Sequence, residues 1–172
     1  MTTTTTTTPT RDARALLTRT QFADVRATVM DSNPDMTAEL AGRIVEQALA
    51  FVATAAAFRD ARIAPSPVVD EGWHALILHT LLYADLCARL GGDFVHHYPQ
   101  RPEPSGYLQG VTEDTLATIT EAGYTPDLEL WQGPDENRIT VGSSTWHTPP
   151  GGCGPIVLIP KKPKPQPKPK DE

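Results

Sequence analysis

The stretch Pro65 to Pro99, PSPVVDEGWHALILHTLLYADLCARLGGDFVHHYP, decides how the rest of the chain is read. Ser66 followed by Pro67 is helix-start chemistry: a serine hydroxyl accepts from an early helical N–H, and proline at the first position gives up only a donor that has no partner there. At 3.6 residues per turn, Trp73, Leu76, Ile77, Thr80, Tyr83, Ala84 and Cys87 share one side of a helix that runs to Gly91-Gly92, where glycine suits the left-handed terminal residue. Leu78, Leu82 and Leu86 fall on other sides, so the helix is apolar nearly all round and is expected to lie between partners or at an interface. Phe94 to Pro99 then continues in extended form.

Working outward toward the N-terminus, Thr37 is placed to cap a helix in which Leu40, Ile44, Ala48, Phe51, Ala55 and Phe58 recur every three or four residues. Val45, Leu49 and Val52 add a second apolar strip, which predicts a helix wrapped by others. Asp31-Ser-Asn-Pro34 is turn chemistry and ends the element before it. That element, with Leu16, Leu17, Phe22, Val25 and Val29, is one helix or two short ones broken near Thr18 to Thr20. The run Thr2 to Thr8 has too little apolar surface to offset its ordering entropy and is expected to be disordered.

Toward the C-terminus, Thr112-Glu-Asp-Thr115 resembles a helix start and Gly123 a stop. Asp127 to Trp131 suits a helical turn or an extended docking segment. Arg138 to Val141 alternates and is paired here, as a short hairpin, with Ile156 to Ile159. The tail after Pro160 is spaced by prolines and cannot build a core.

These readings give a mainly α protein, a small helical bundle of three to four helices. Residues 1–10 form a disordered Thr-rich tail, 11–131 the helical domain, 132–160 an irregular segment with the short hairpin, and 161–172 a disordered Lys/Pro tail. At 172 residues a core of this size needs no disulfides, and two cysteines make no framework. The start carries no signal-peptide pattern and no apolar stretch reads as membrane-spanning, so a cytoplasmic location is expected, with no membrane partner. The net charge of −6 disfavours nucleic acid.

Four of the five histidines lie in the central stretch. Asp70 and His74, four residues apart on the helix, are neighbours on one face, about 40° apart by helical rotation. If the chain folds back after the helix, His96 or His97 reaches that pair. Two histidines and a carboxylate are the ligand set of a facial iron(II) site, and a further nitrogen or sulfur ligand would suit zinc. The structural alternative is as good: Asp70 complements the helix dipole, His74 bonds to it, and the histidine pair caps carbonyls. His79 lies about 140° from His74, outside any shared site, and is expected at a surface or interface. Trp73 and Cys87 are expected to pack, with Gly72 letting a neighbouring helix come close. His147 and Cys153 are half a zinc site, and no hydrolase, phosphate-loop, zincin or calcium-loop pattern is present.

Val69-Asp70, Trp73-His74, Ile77-Leu78, Thr80, Tyr83, Cys87, Gly92, Phe94 and His96-His97-Tyr98-Pro99 together resemble the signature of the bacterial glycine-rich domain-containing protein-like family. The resemblance spans Thr37 to Pro99 and implies a helical fold with a recurring Asp/Trp-His/His-His constellation, without an assigned reaction. The expected function is that of a non-catalytic module for a protein partner, using apolar surface around Leu82 and Leu86 or the Pro-rich segments. The alternative is a small metalloprotein, oxidase- or hydroxylase-like, holding a divalent zinc or iron ion on Asp70, His74, and His96 or His97.

Overall fold

The computed structural model describes residues 11–91, 93–97 and 109–131. Five α-helices and one short 3-10 turn account for the regular structure among these residues, and no strand occurs among them. The mainly α expectation holds; the helix count exceeds three to four because the expected central helix divides into two. Both tails, the hairpin of 138–141 with 156–159, and the His147/Cys153 pair lie outside the described residues.

Each helix begins where local chemistry favours it. After the 3-10 turn Ala13–Leu16, α1 spans Arg19–Ser32. Thr18 and Gln21 exchange side-chain bonds with each other's backbone N–H, at 3.2 and 3.0 Å, so the first segment consists of two pieces broken at Thr18. Helix α2, Ala38–Ala57, starts at Thr37, whose hydroxyl accepts from Leu40 N–H at 3.2 Å. Helix α3, Pro67–Leu78, starts at Ser66, whose hydroxyl accepts from Val69 N–H at 3.1 Å. Each such cap is worth about 1 kcal/mol. Helix α4 spans Thr80–Leu90 and ends at Gly91, whose φ of 152° favours glycine. Helix α5, Gln109–Glu121, begins three residues before Thr112, so the expected start falls inside the helix.

Helix α2 is the axis of the core. Ile44, Val45, Ala48, Leu49 and Val52 are fully buried, on more than one side of the helix, because α1, α3, α4 and α5 surround it. By length and composition α2 would suffice to cross a membrane, which corrects the expectation that no apolar stretch does so; here it is the buried core helix. The α2–α3 crossing is set at Gly72. A Cβ there would lie 2.8 Å from the Ile44 carbonyl oxygen and 2.9 Å from both Ala48 Cβ and Ile44 Cγ2, so only glycine permits this approach. Gln47, buried in α2, then ties the chain beyond α5 to the core. Its amide oxygen accepts from Asp127 N–H at 3.1 Å and Trp131 Nε1–H at 2.7 Å, and its amide nitrogen donates to the Thr125 carbonyl. Asp127 to Trp131 is therefore a turn, with Leu130 and Trp131 buried.

The expected continuous helix from Pro67 to Gly91 breaks at His79, where φ is −85° and ψ is 65°. No glycine or proline marks the place. His79 Nε2 lies 2.8 Å from Thr28 Oγ1 on α1, and its backbone oxygen accepts from Tyr83 N–H, so one residue closes α3 and opens α4. The bend re-aims α4 so that Tyr83, Leu86 and Cys87 face the core while Thr80 and Ala84 face solvent. This corrects two expectations: Thr80 and Ala84 are not core, and Leu86 is not surface.

Candidate functional site

The constellation gathers where residues 93–97 cross back over α3 and α4. Asp70 stands in the first turn of α3, and Trp73 follows one turn later on the buried side. Beyond Gly91, the Asp93 carboxylate pairs with Arg59, which also donates to the Gly91 carbonyl at 3.2 Å. The chain then passes over Tyr83. The Tyr83 hydroxyl donates to the Val95 carbonyl at 2.6 Å and accepts from Trp73 Nε1–H at 2.8 Å. One phenol thus joins α3, α4 and the returning strap. Burial pushes the Tyr83 phenol well above its ordinary value, opposed in part by the bond from Trp73, so it stays a neutral donor.

Two of the four expected site residues meet. His97 Nε2 lies 2.8 Å from Asp70 Oδ1, and both side chains are largely covered. A carboxylate oxygen that accepts in this contact calls for the Nε2–H form of the imidazole. The Trp73 ring meets the His97 ring edge-on, with centroids 4.6 Å apart, which fixes the plane of the imidazole. His74 is exposed, and its ring centre is 6.4 Å from that of His97. His96 packs against Phe94 at 5.1 Å, and Phe94 meets Tyr83 edge-on at 5.0 Å. Among the described residues, no group of three or more His, Cys, Asp and Glu side chains is placed to hold a metal ion. His79 is at an interface, against α1, outside the group.

Several partners had no sequence signal. Glu71, next to Asp70, is buried and accepts at 2.9 Å from the Asn33 side-chain amide, which also donates to the Val29 carbonyl at the end of α1. The pair is 38 residues apart in sequence, and nothing local announces it. Tyr83 was expected only to pack; its hydroxyl links are visible only once the strap is placed. Chemically, the arrangement is a carboxylate–imidazole pair against an indole edge. It can orient an imidazole and hold the strap.

No curated protein and no solved structure matches the chain. The resemblance to the glycine-rich domain-containing protein-like family is overturned, because the family model that matches is that of an uncharacterised family of another kind. The match covers residues 12–104, more than half of the chain, and includes α1 to α4 together with Asp70, His74, His96 and His97. On the extent of that match, the chain belongs to the UCP032817-like family.

Proposed function

We propose that this small helical protein is a non-catalytic interaction module that meets a protein partner through a leucine ledge at the α3–α4 bend. The observation that carries the reading is the exposure of Leu81 at 86 %, with Leu78 at 57 % just across the bend. Fully burying one leucine contributes roughly 1.5–3 kcal/mol, a gain that both side chains forgo in the isolated chain. Ala84 and Ala88, also exposed, extend the same outer side of α4, within about 60° of Leu81 by helical rotation. The ledge replaces the surface expected around Leu82 and Leu86, since Leu86 is fully buried. A photo-crosslinking residue at position 81 of the full chain, in its own cell, tests this. A discrete protein adduct is expected from position 81 and none from exposed Glu39 on α2. Absence of an adduct at 81, or equal labelling at both positions, sinks the reading.

A second reading keeps the metal alternative, on the 2.8 Å contact of Asp70 and His97 with His74 nearby. Two ligands on a tetrahedral zinc with bonds of about 2.0 Å are about 3.3 Å apart, so an ion replaces the shared proton with a shift of about half an ångström. Asp70, His97 and a re-oriented His74 would supply the donors for zinc or iron. Metal analysis of untagged protein, repeated for His97→Ala, decides: stoichiometric metal lost in the variant supports it, and metal-free protein that stays folded in chelator ends it.

A further inference from the structure

We infer that the Leu78/Leu81 ledge is covered in cis by Ile156-Val157-Leu158-Ile159 of the same chain, with the lysine run that follows seated among the carboxylates around the ledge. The inference rests on the proposed interaction surface and names what occupies it when no partner is present.

Three observations converge on this occupant. After Trp131, residues 156–159 are the one run of four large aliphatic side chains, bracketed by Pro155 and Pro160. The proline rings remove two backbone donors and favour an extended segment whose side chains are free to enter a shallow apolar surface. The charges around the ledge are opposite to those beside the segment. Asp85 lies one turn beyond Leu81 on α4, and Asp24 and Asp31 lie one turn either side of Thr28, the residue that touches His79 at the bend. All three are exposed. Arg89 faces them from α4; it pairs with Asp85 at 3.0 Å and donates to the Leu16 carbonyl. Lys161, Lys162 and Lys164 begin two residues after Ile159, so they fall about 7 to 17 Å along an extended chain, within reach of those carboxylates.

Reach is ample. The 25 residues from Trp131 to Ile156 extend to on the order of 80 Å. A domain of this size has a radius of gyration of about 14 Å, so the segment can reach any face. Because the cover and a protein partner use the same leucines, a partner must displace the segment, and the tail acts as a built-in competitor.

A nitroxide on Cys153, three residues before Ile156, tests this in the full-length protein. Cys87 is 2 % exposed and is left unmodified under native conditions. The expected result is loss of amide signal at residues 78–85, unchanged on dilution, reduced in high salt, and abolished by Leu81→Asp or by Leu158→Asp. Leu81 is 86 % exposed, so its replacement is not expected to disturb the fold, and Leu158→Asp changes no residue of α1 to α5. Amides 78–85 that keep their intensity overturn the inference. So does a loss found only when labelled and unlabelled copies are mixed, which assigns the cover to a second chain. The outcomes separate the two proposals: an adduct at position 81 without cis broadening removes the tail and keeps the partner surface, whereas broadening without an adduct removes the partner.

Discussion

The α2–α3 crossing and the strap over α3 and α4 share one helix and are held together in opposite ways. At the crossing, contact is dry and set by shape: Gly72 lies on Ile44 and Ala48, and the surrounding aliphatic side chains are fully buried. At the strap, contact is directional: the Tyr83 phenol, which accepts from the Trp73 indole N–H, donates to the Val95 carbonyl, and the Asp70 carboxylate meets the His97 imidazole. The difference teaches where a change propagates. Shape complementarity has no slack, so a change at the crossing is felt by the whole fold. The strap is a short segment tied to the helices by a few hydrogen bonds, so a change there is expected to loosen the strap before the rest of the fold.

The sharpest way to break the contrast is Leu49→Ala. The side chain is fully buried in α2, and its truncation is expected to cost about 2–5 kcal/mol of global stability, measured by denaturant unfolding. Gly72→Ala comes next. Its methyl group meets the Ile44 carbonyl at 2.8 Å, and a net loss of about 1–3 kcal/mol is expected despite alanine's better helix propensity. A neutral or stabilising result shows that the crossing has room. Tyr83→Phe removes the hydroxyl while keeping the ring, leaving Trp73 Nε1 without its acceptor. A loss of about 2 kcal/mol is expected, with faster amide exchange along 93–97. Unchanged exchange in the strap overturns the clasp role.

The same tyrosine carries a pH signature. Burial raises its folded-state value above the unfolded value of 10.0, so the unfolded chain ionises first and stability falls as pH rises through and beyond 10.0. This share of the alkaline loss is expected to vanish in Tyr83→Phe, read as unfolding free energy against pH. The smallest effect is expected from Asp70→Asn, which keeps an acceptor for His97 but removes the charge, at about 1 kcal/mol. If it matches Leu49→Ala in global effect, strap and crossing are one cooperative unit and the distinction fails.

Much of the architecture was legible because it is local. Thr37, Ser66-Pro67 and Gly91 mark helix ends through bonds and dihedral preferences that involve only residues a few positions away. The double apolar strip of α2 and the close approach at Gly72 follow from composition and spacing. The candidate site was half legible: Asp70 and a histidine of the His96/His97 pair do meet, and the chain had only to turn back at the glycine.

The sequence by itself determined which segments are helical, where most of them start, and which faces carry apolar side chains. Tertiary structure alone decided that the central helix bends at His79, because the cause is Thr28 on another helix. It decided that His97 and not His96 meets Asp70, because the strap is set by Tyr83 and the Trp73 edge. It also put Leu86 inside and left Leu81 outside, since a bend changes the phase of every residue after it. Capping and periodicity are short-range and can be read along the chain. Bend angle, strap register and ledge exposure depend on contacts between distant residues, which no local pattern encodes.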